Sequence, residues 1–184
     1  MQNKTSTHLE VEAKIAVPSL EPIRERLKRL GAEPGPLTRQ EDLYLEDPEN
    51  RLLKKDCGLR LRRQTDATRQ TLTLTWKGPR LPGPYKSRQE TEFQVSDYDA
   101  AVALFQQLGL TPAVRVEKSR QVWTVGPCLI CLDELPHLGA FVEVEGPDEN
   151  RVRDILRRLD LADRPHISQG YARLTQKAKK SKTE

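Results

Sequence analysis

No apolar run in this chain approaches the roughly 18 residues that a membrane-crossing helix requires. The opening stretch, MQNKTSTHLEVE, holds no apolar secretory core. Both absences argue against a membrane protein and lead us to expect a cytoplasmic one. Cysteine is scarce, with 3 residues in 184, an odd number in a chain too long to need covalent staples, which fits a reducing compartment. Cys128 and Cys131 form a lone C-x-x-C, but the stretch around them alternates as a strand, where positions three apart face opposite sides. Two buried small side chains are therefore expected there rather than a zinc or redox centre. Neither sign of charge dominates: 31 Lys plus Arg stand against 27 Asp plus Glu, for a net charge of +4. That balance excludes a disordered polyelectrolyte and a histone-like basic protein. Aromatics are only 5% and mean hydropathy is -0.70, lean values that still suffice for one domain of ordinary size. No G-x-x-x-x-G-K-[ST] phosphate loop is present.

What the chain does have is alternation. Leu9, Val11, Ala13, Ile15 and Val17 interleave with His8, Glu10, Glu12 and Lys14, the period-2 signature of a strand with one apolar and one charged face. Further strands are expected at 41–46, 57–64, 70–77, 87–95, 114–125, 128–134 and 140–146, the sixth and seventh joined at Gly126-Pro127. Helices are expected after Ser19, with Ile23, Leu27 and Leu30 on one face and Gly31 at its end, and after Ser96, with Val102, Leu104, Phe105 and Leu108 in its body. Two more fall at about 148–159 and 168–178. Pro34–Pro36 and Gly78–Tyr85 read as connections from their Pro and Gly content. Residues 1–7 are expected to be a flexible N-terminus, 8–176 a single domain, and 177–184 a frayed Lys-rich tail.

The charged faces carry the argument. A half-buried sheet could scatter polar residues over its solvent side. Here those faces are poor in Ser, Asn and Gln and hold like charges as same-face neighbours: Glu10 with Glu12, Arg60 with Arg62, Glu90 with Glu92, Lys118 with Arg120, Glu143 with Glu145. Such neighbours repel, so something must compensate. With Lys14, Lys77, Arg88 and Asp133 the set comprises 7 acids and 7 bases. If the strands close into a barrel with these faces inward, the interior is ionic and the apolar faces lie outside, where helices can cover them. Dry burial of so many ions, at several kcal/mol each, would exceed a net stability of about 5–15 kcal/mol. The bore must be wet. Carboxylates there offer the hard oxygen donors that Mg²⁺ or Mn²⁺ prefer, and Arg and Lys grip phosphate oxygens. A polyphosphate with a divalent metal suits such a bore, because phosphoryl and nucleotidyl transfer need mainly positioning and charge stabilisation.

In order along the chain stand Glu10-Val11-Glu12-Ala13-Lys14, Asp42-Leu43-Tyr44-Leu45, Gly58-Leu59-Arg60-Leu61-Arg62, Trp76-Lys77-Gly78-Pro79, Arg88-Gln89-Glu90-Thr91-Glu92, Glu117-Lys118-Ser119-Arg120, Leu132-Asp133 and Leu138-Gly139-Ala140-Phe141-Val142-Glu143-Val144-Glu145. This series resembles the CYTH superfamily, the triphosphate tunnel metalloenzymes, from about His8 to Leu174. The resemblance implies an α+β fold: an eight-stranded antiparallel tunnel with a charged lumen, about four helices outside it and a triphosphate within. It implies Glu10, Glu12, Glu143 and Glu145 as holders of Mg²⁺ or Mn²⁺, with Asp133, Glu90 and Glu92 as further ligands or their support. Lys14, Arg60, Arg62, Lys77, Arg88, Lys118 and Arg120 would bind phosphate oxygens. The thiamine triphosphatase branch implies a pairing of Tyr44 with Lys77 near the reacting phosphate, where Tyr44 could equally be a packed strand aromatic. The Leu-Gly-x-Phe-x-Glu ending lies close to the class IV adenylate cyclase branch. Hydrolysis of a nucleoside, thiamine or inorganic triphosphate and cyclisation of ATP both stay open, as does a polyphosphate-binding module without turnover. A homodimer is what the relatives suggest; a nucleic-acid partner is disfavoured, since the basic excess at 51–90 is better spent on lumen-facing strands. Glu46 and the Pro-rich loop at 78–86 depart from the shared pattern and leave the leaving-group pocket open. His8 and His137 read as bystanders, and His166 receives no role.

Overall fold

The computed structural model describes residues 6–181. Eight strands, β1 (Ser6–Val17), β2 (Pro34–Glu46), β3 (Gly58–Thr65), β4 (Gln70–Leu81), β5 (Lys86–Gln94), β6 (Thr111–Val125), β7 (Cys128–Leu135) and β8 (Gly139–Gly146), pair antiparallel and close into a barrel in the order β1-β5-β4-β3-β2-β6-β7-β8. Five helices accompany them among the described residues: α1 (Glu21–Arg29), α2 (Arg51–Lys54), α3 (Tyr98–Gln107), α4 (Glu149–Arg158) and α5 (Tyr171–Lys180). None of these helices is long and apolar enough to cross a membrane.

The period-2 pattern decides which way each strand faces. Val11, Ala13 and Ile15 of β1, Ile130 and Leu132 of β7 and Val142 and Val144 of β8 point outward, where Ile23 and Leu27 of α1 and Val152, Ile155 and Leu156 of α4 cover them. Leu43, Leu45, Leu59, Leu61 and Leu74 point outward on the other side under Tyr98, Val102 and Phe105 of α3. Removing each such side chain from water contributes about 1.5–3 kcal/mol, so the greasy surface of the barrel is its wall-to-helix interface. A third cluster is different. Val114, Val116, Leu135 and Phe141 share strand faces with the charged residues, and at one end of the bore they meet Tyr171, Ala172 and Leu174 of α5. The alternation thus turns apolar at that end, and α5 leans over it.

Several boundaries shift for identifiable reasons. β1 starts at Ser6, where it pairs with Glu92 of β5; residues 1–5 lie outside the described set. Pro34–Pro36 belongs to β2 rather than to a connection, with an irregular register between Pro34 and Leu37 where the prolines donate no ladder hydrogen bond. Gly35 is required there, since a Cβ would stand 2.9 Å from the Val122 carbonyl oxygen. β4 likewise runs through Gly78-Pro79 to Leu81 by way of a register shift between Lys77 and Arg80. Asp97 and Asp148 cap α3 and α4, each accepting a backbone N–H at 2.9 Å, from Ala100 and Arg151. α5 continues to Lys180, past the expected onset of the frayed tail, and 182–184 lie outside the described set. α2 was not expected. Its first turn is held by Glu46, whose carboxylate accepts the N–H groups of Leu52 and Leu53 at 3.0 and 2.8 Å. Glu46 departs from the shared pattern at the position that builds this turn.

Candidate active site

Register places the charges level by level around the bore. Glu10 lies opposite Arg88 and Glu12 opposite Lys86 across β1 and β5, while Glu12 and Lys14 face Glu145 and Glu143 across β1 and β8. Tyr44 faces Arg60 and Asp42 faces Arg62 across β2 and β3, and Lys77 faces Glu90 across β4 and β5. The result is a chamber of about 400 Å³ lined by Glu10, Glu12, Lys14, Tyr44, Arg60, Arg62, Lys77, Arg88, Glu90, Glu92, Lys118, Arg120, Glu143 and Glu145, a size within the usual range for a small-molecule site. Every candidate from the sequence lines it except Asp133, which is fully enclosed.

One side of the wall is saturated. Arg62 grips Asp42 through two hydrogen bonds, Nε to Oδ1 at 2.6 Å and Nη2 to Oδ2 at 2.7 Å. Burial works to raise the Asp42 pKa, but the Arg62 and Arg60 guanidiniums overcome it and hold the carboxyl well below its ordinary range. Asp133 accepts from Lys118 Nζ at 3.0 Å, from Arg120 Nε at 2.7 Å and from the Tyr171 hydroxyl at 2.8 Å. The Tyr171 ring also sits under two ammonium groups, 4.1 Å from Lys14 Nζ and 4.5 Å from Lys118 Nζ. Burial, helped by the Arg120 charge, pulls the Lys118 pKa down to about 8. Arg120 reaches on to Glu143 and, at 3.4 Å, to Glu145.

The other side is not saturated. Lys14 stands between Glu143 and Glu12 at 3.0 and 3.2 Å, and although burial opposes its charge these two carboxylates hold its pKa above the ordinary lysine value. Lys86 reaches Glu12 as well. Glu145, by contrast, is pushed up to about 7, first by burial and then by the nearby Glu10, with Glu143 and Glu12 adding to it. Arg60 donates to Thr75, which donates to Glu92, yet its Nε and that of Arg88 are buried with no hydrogen-bond acceptor among the described residues. Lys77 pairs with Glu90, but burial and then the Arg60 charge keep its pKa lowered. Tyr44 is a protonated phenol, its pKa raised by burial and the Asp42 carboxylate. Tyr44 and Lys77 line one chamber, and between their strands β3 offers at this level the bare backbone of Gly58, opposite Lys77.

The acids fit a divalent cation in kind: Glu10, Glu12, Glu143 and Glu145 are hard oxygen donors whose mutual repulsion a cation would relieve. One of them, Glu12, carries a buried oxygen, Oε1, whose contact with Lys14 Nζ at 3.2 Å is an ion pair without hydrogen-bond geometry. They are not gathered into a ready-made ligand cage, since no such cluster occurs among the described residues; Lys14 and Lys86 stand between them. The cysteines are free, and they face opposite sides as their spacing implied, Cys128 in the outer core and Cys131 toward Glu145.

Three bore residues escaped the sequence reading. Lys86 falls just before the expected start of its strand, although it shares the parity of Arg88 and Glu90. Asp42 stood inside a quoted motif but had been given no role. Tyr171 arrives from a helix, and no strand periodicity points to it. His8 does line the rim of the chamber.

A closed eight-stranded barrel with an ionic bore defines a tunnel protein rather than a sandwich or a ligand barrel with a greasy cavity. The family model of the CYTH domain matches residues 8–173, and the chain belongs to that family. It is 27% identical over 137 residues to a Methanocaldococcus jannaschii protein named "Putative adenylate cyclase MJ0240", covering 74% of this chain and 76% of that one. Among solved structures, the PH1819 protein of Pyrococcus horikoshii superposes with a TM-score of 0.80 at 27% identity, over 91% of this chain and 99% of that one. A Hippeastrum protein described as a "putative adenylyl cyclase" with "a dominant" triphosphatase activity shares the fold, with a TM-score of 0.62 at 16% identity over 91% of this chain and 93% of that one.

Proposed function

We propose that this chain is a divalent-metal-dependent enzyme acting on a triphosphate, either by hydrolysing a phosphoanhydride bond or by closing ATP to cyclic AMP with release of pyrophosphate. The observation that carries the reading is the ionic chamber itself, two of whose lining arginines, Arg60 and Arg88, each keep a buried Nε–H with no hydrogen-bond acceptor among the described residues. A buried donor left unpaired costs about 1–3 kcal/mol, and a row of phosphate oxygens supplies the acceptors. Lys14, Arg62, Lys77, Lys86, Lys118 and Arg120 extend the grip. The acids and bases of the bore nearly cancel, so a polyanion needs additional cations to enter. Glu10, Glu12, Glu143 and Glu145 would hold Mg²⁺ or Mn²⁺, with Glu90 and Glu92 in support. Asp133, its oxygens already taken by Lys118, Arg120 and Tyr171, serves in the supporting set. When bound, the metal supplies Lewis-acid neutralisation of the phosphate charge.

The chain's own groups do the rest. Arg60 and Arg88 orient the phosphates, and the Tyr44 phenol donates a hydrogen bond to a phosphoryl oxygen. Lys77, whose proton is loosened by burial, exchanges it at the oxygen that attacks or leaves. The names carried by similar proteins span both reactions, "Putative adenylate cyclase" in Methanocaldococcus and a "putative adenylyl cyclase" with a dominant triphosphatase activity in Hippeastrum. The test is a product assay with Mg²⁺ and then Mn²⁺ on ATP, thiamine triphosphate and inorganic triphosphate, separating orthophosphate from pyrophosphate plus cyclic AMP. Turnover of at least one substrate, abolished by chelation, is expected. Orthophosphate without cyclic product selects the hydrolase; binding of all three without turnover leaves a polyphosphate-binding module and defeats the enzymatic reading.

A further inference from the structure

Beside the chamber lies a second groove of about 540 Å³ that adjoins it, with Glu12, Lys14 and Lys86 lining both. Its character is different. Leu81, Pro82, Pro84, Tyr85, His166 and Ile167 supply one part of its wall, and Asp56, Arg80 and Ser168 join the shared ionic residues on the rest. The Tyr85 ring is buried in the outer core, and the exposed His166 ring lies tilted against it, centroids 5.2 Å apart with an interplanar angle of 30°. Both walls are anchored. The β4–β5 loop holds Gly83 where a Cβ would come within 2.9 Å of Glu149 Oε1, so it rests against the start of α4. The segment carrying His166 is tied to β1 at the lysine of the chamber itself: the Ile167 N–H donates to the Lys14 carbonyl at 2.8 Å, and Lys14 Nζ donates to the Gln169 carbonyl at 3.2 Å.

A pre-organised, apolar, aromatic ledge next to a polyanion site is more than an inorganic triphosphate requires. We propose that His166, backed by Tyr85, is the specificity-determining surface on which the flat heteroaromatic group of an organic triphosphate stacks while its phosphates enter the bore. The inference rests on the triphosphate reading above. Heteroaromatic rings stack on aromatic side chains whatever their hydrogen-bonding edges, so the ledge selects for a ring and does not by itself distinguish adenine from the pyrimidine of thiamine triphosphate.

The test compares wild type, His166→Ala, His166→Phe and Leu53→Ala, the last altering a half-exposed residue of α2 that lines the chamber but not the groove. Dissociation constants and kcat/KM are measured for ATP, thiamine triphosphate and inorganic triphosphate, with thermal melts as a folding check. His166→Ala is expected to weaken at least one organic triphosphate by about tenfold, chiefly in KM, with inorganic triphosphate unchanged and His166→Phe restoring the loss. Which organic substrate responds identifies the ring. Equal effects on all three ligands, no effect on any, or a selective loss confined to Leu53→Ala would overturn the inference. Should the wild type turn over none of them, the dissociation constants still decide the ledge while the enzymatic reading alone fails.

Discussion

The two halves of the bore wall are made of the same residue types and behave oppositely. Across β2, β3, β6 and β7 the bore acids are consumed internally: Asp42 by Arg62, and Asp133 by Lys118, Arg120 and Tyr171. Across β1, β5 and β8 groups are left over: Glu12 faces Glu145, Arg88 keeps an unpaired N–H group as Arg60 of β3 also does, and Glu145 is crowded by three other carboxylates. A buried charge with all its hydrogen bonds made is structural, and removing its partner is costly; a buried charge without them is held in place by the fold for something else. The matched acids therefore build the tunnel, while the unmatched groups keep hydrogen-bonding capacity that a ligand can use.

Substitutions can break that contrast. The largest effect is expected for Glu145→Gln on the unmatched half: kcat/KM on the substrate found by the product assay should fall by a hundredfold or more, on the order of removing one key electrostatic group, while the thermal midpoint holds or rises because a repelling carboxylate is gone. Retained turnover would show that the crowded acids are not the site. Asp42→Asn on the matched half should do the reverse, costing about 3 kcal/mol of stability near neutral pH because Arg62 loses its partner. The Asp42 pKa is depressed in the folded chain, so its contribution is present above the ordinary value of 3.8 and fades as pH falls from there toward the lowered folded value. Urea melts of parent and variant should accordingly converge as the pH is taken below that point, and a constant gap would contradict the pairing. The smallest effect belongs to Tyr171→Phe, which keeps the ring beneath Lys14 and Lys118 and removes only the hydroxyl that donates to Asp133. A loss of about 1 kcal/mol in denaturant unfolding is expected; no loss would mean that Asp133 is satisfied by its two bases alone.

Much of the tunnel could be read in advance because a strand has only two faces. Once Glu10, Glu12 and Lys14 were seen to alternate with Val11, Ala13 and Ile15, the choice was between an ionic surface and an ionic bore, and repulsion within the like-charged pairs favoured the bore. The same rule located Arg60 and Arg62, Glu90 and Glu92, and Glu143 and Glu145. It failed where proline and glycine disguised a strand, as at Pro34–Pro36 and Gly78–Pro79, because irregular register lets a strand pass through residues that normally end one. Lys86 was lost with such a misplaced boundary. Asp42 was visible but its partner was not, since the choice of Arg62 over another base is made across β2 and β3.

Alternation and charge balance, local properties of the chain, determined strands with one apolar and one ionic face, and the family resemblance of the ordered motifs implied that they close into a barrel with the ionic face inward. They could not say which acids would be neutralised and which left wanting, because that depends on register between strands as far apart as β1 and β8. Nor could they say that α5 would close one end with Tyr171, or that the 166–169 segment would fasten to Lys14 and set His166 on Tyr85. The contacts of the 166–169 segment join residues about 80 to 155 positions apart, and only the assembled barrel brings them together.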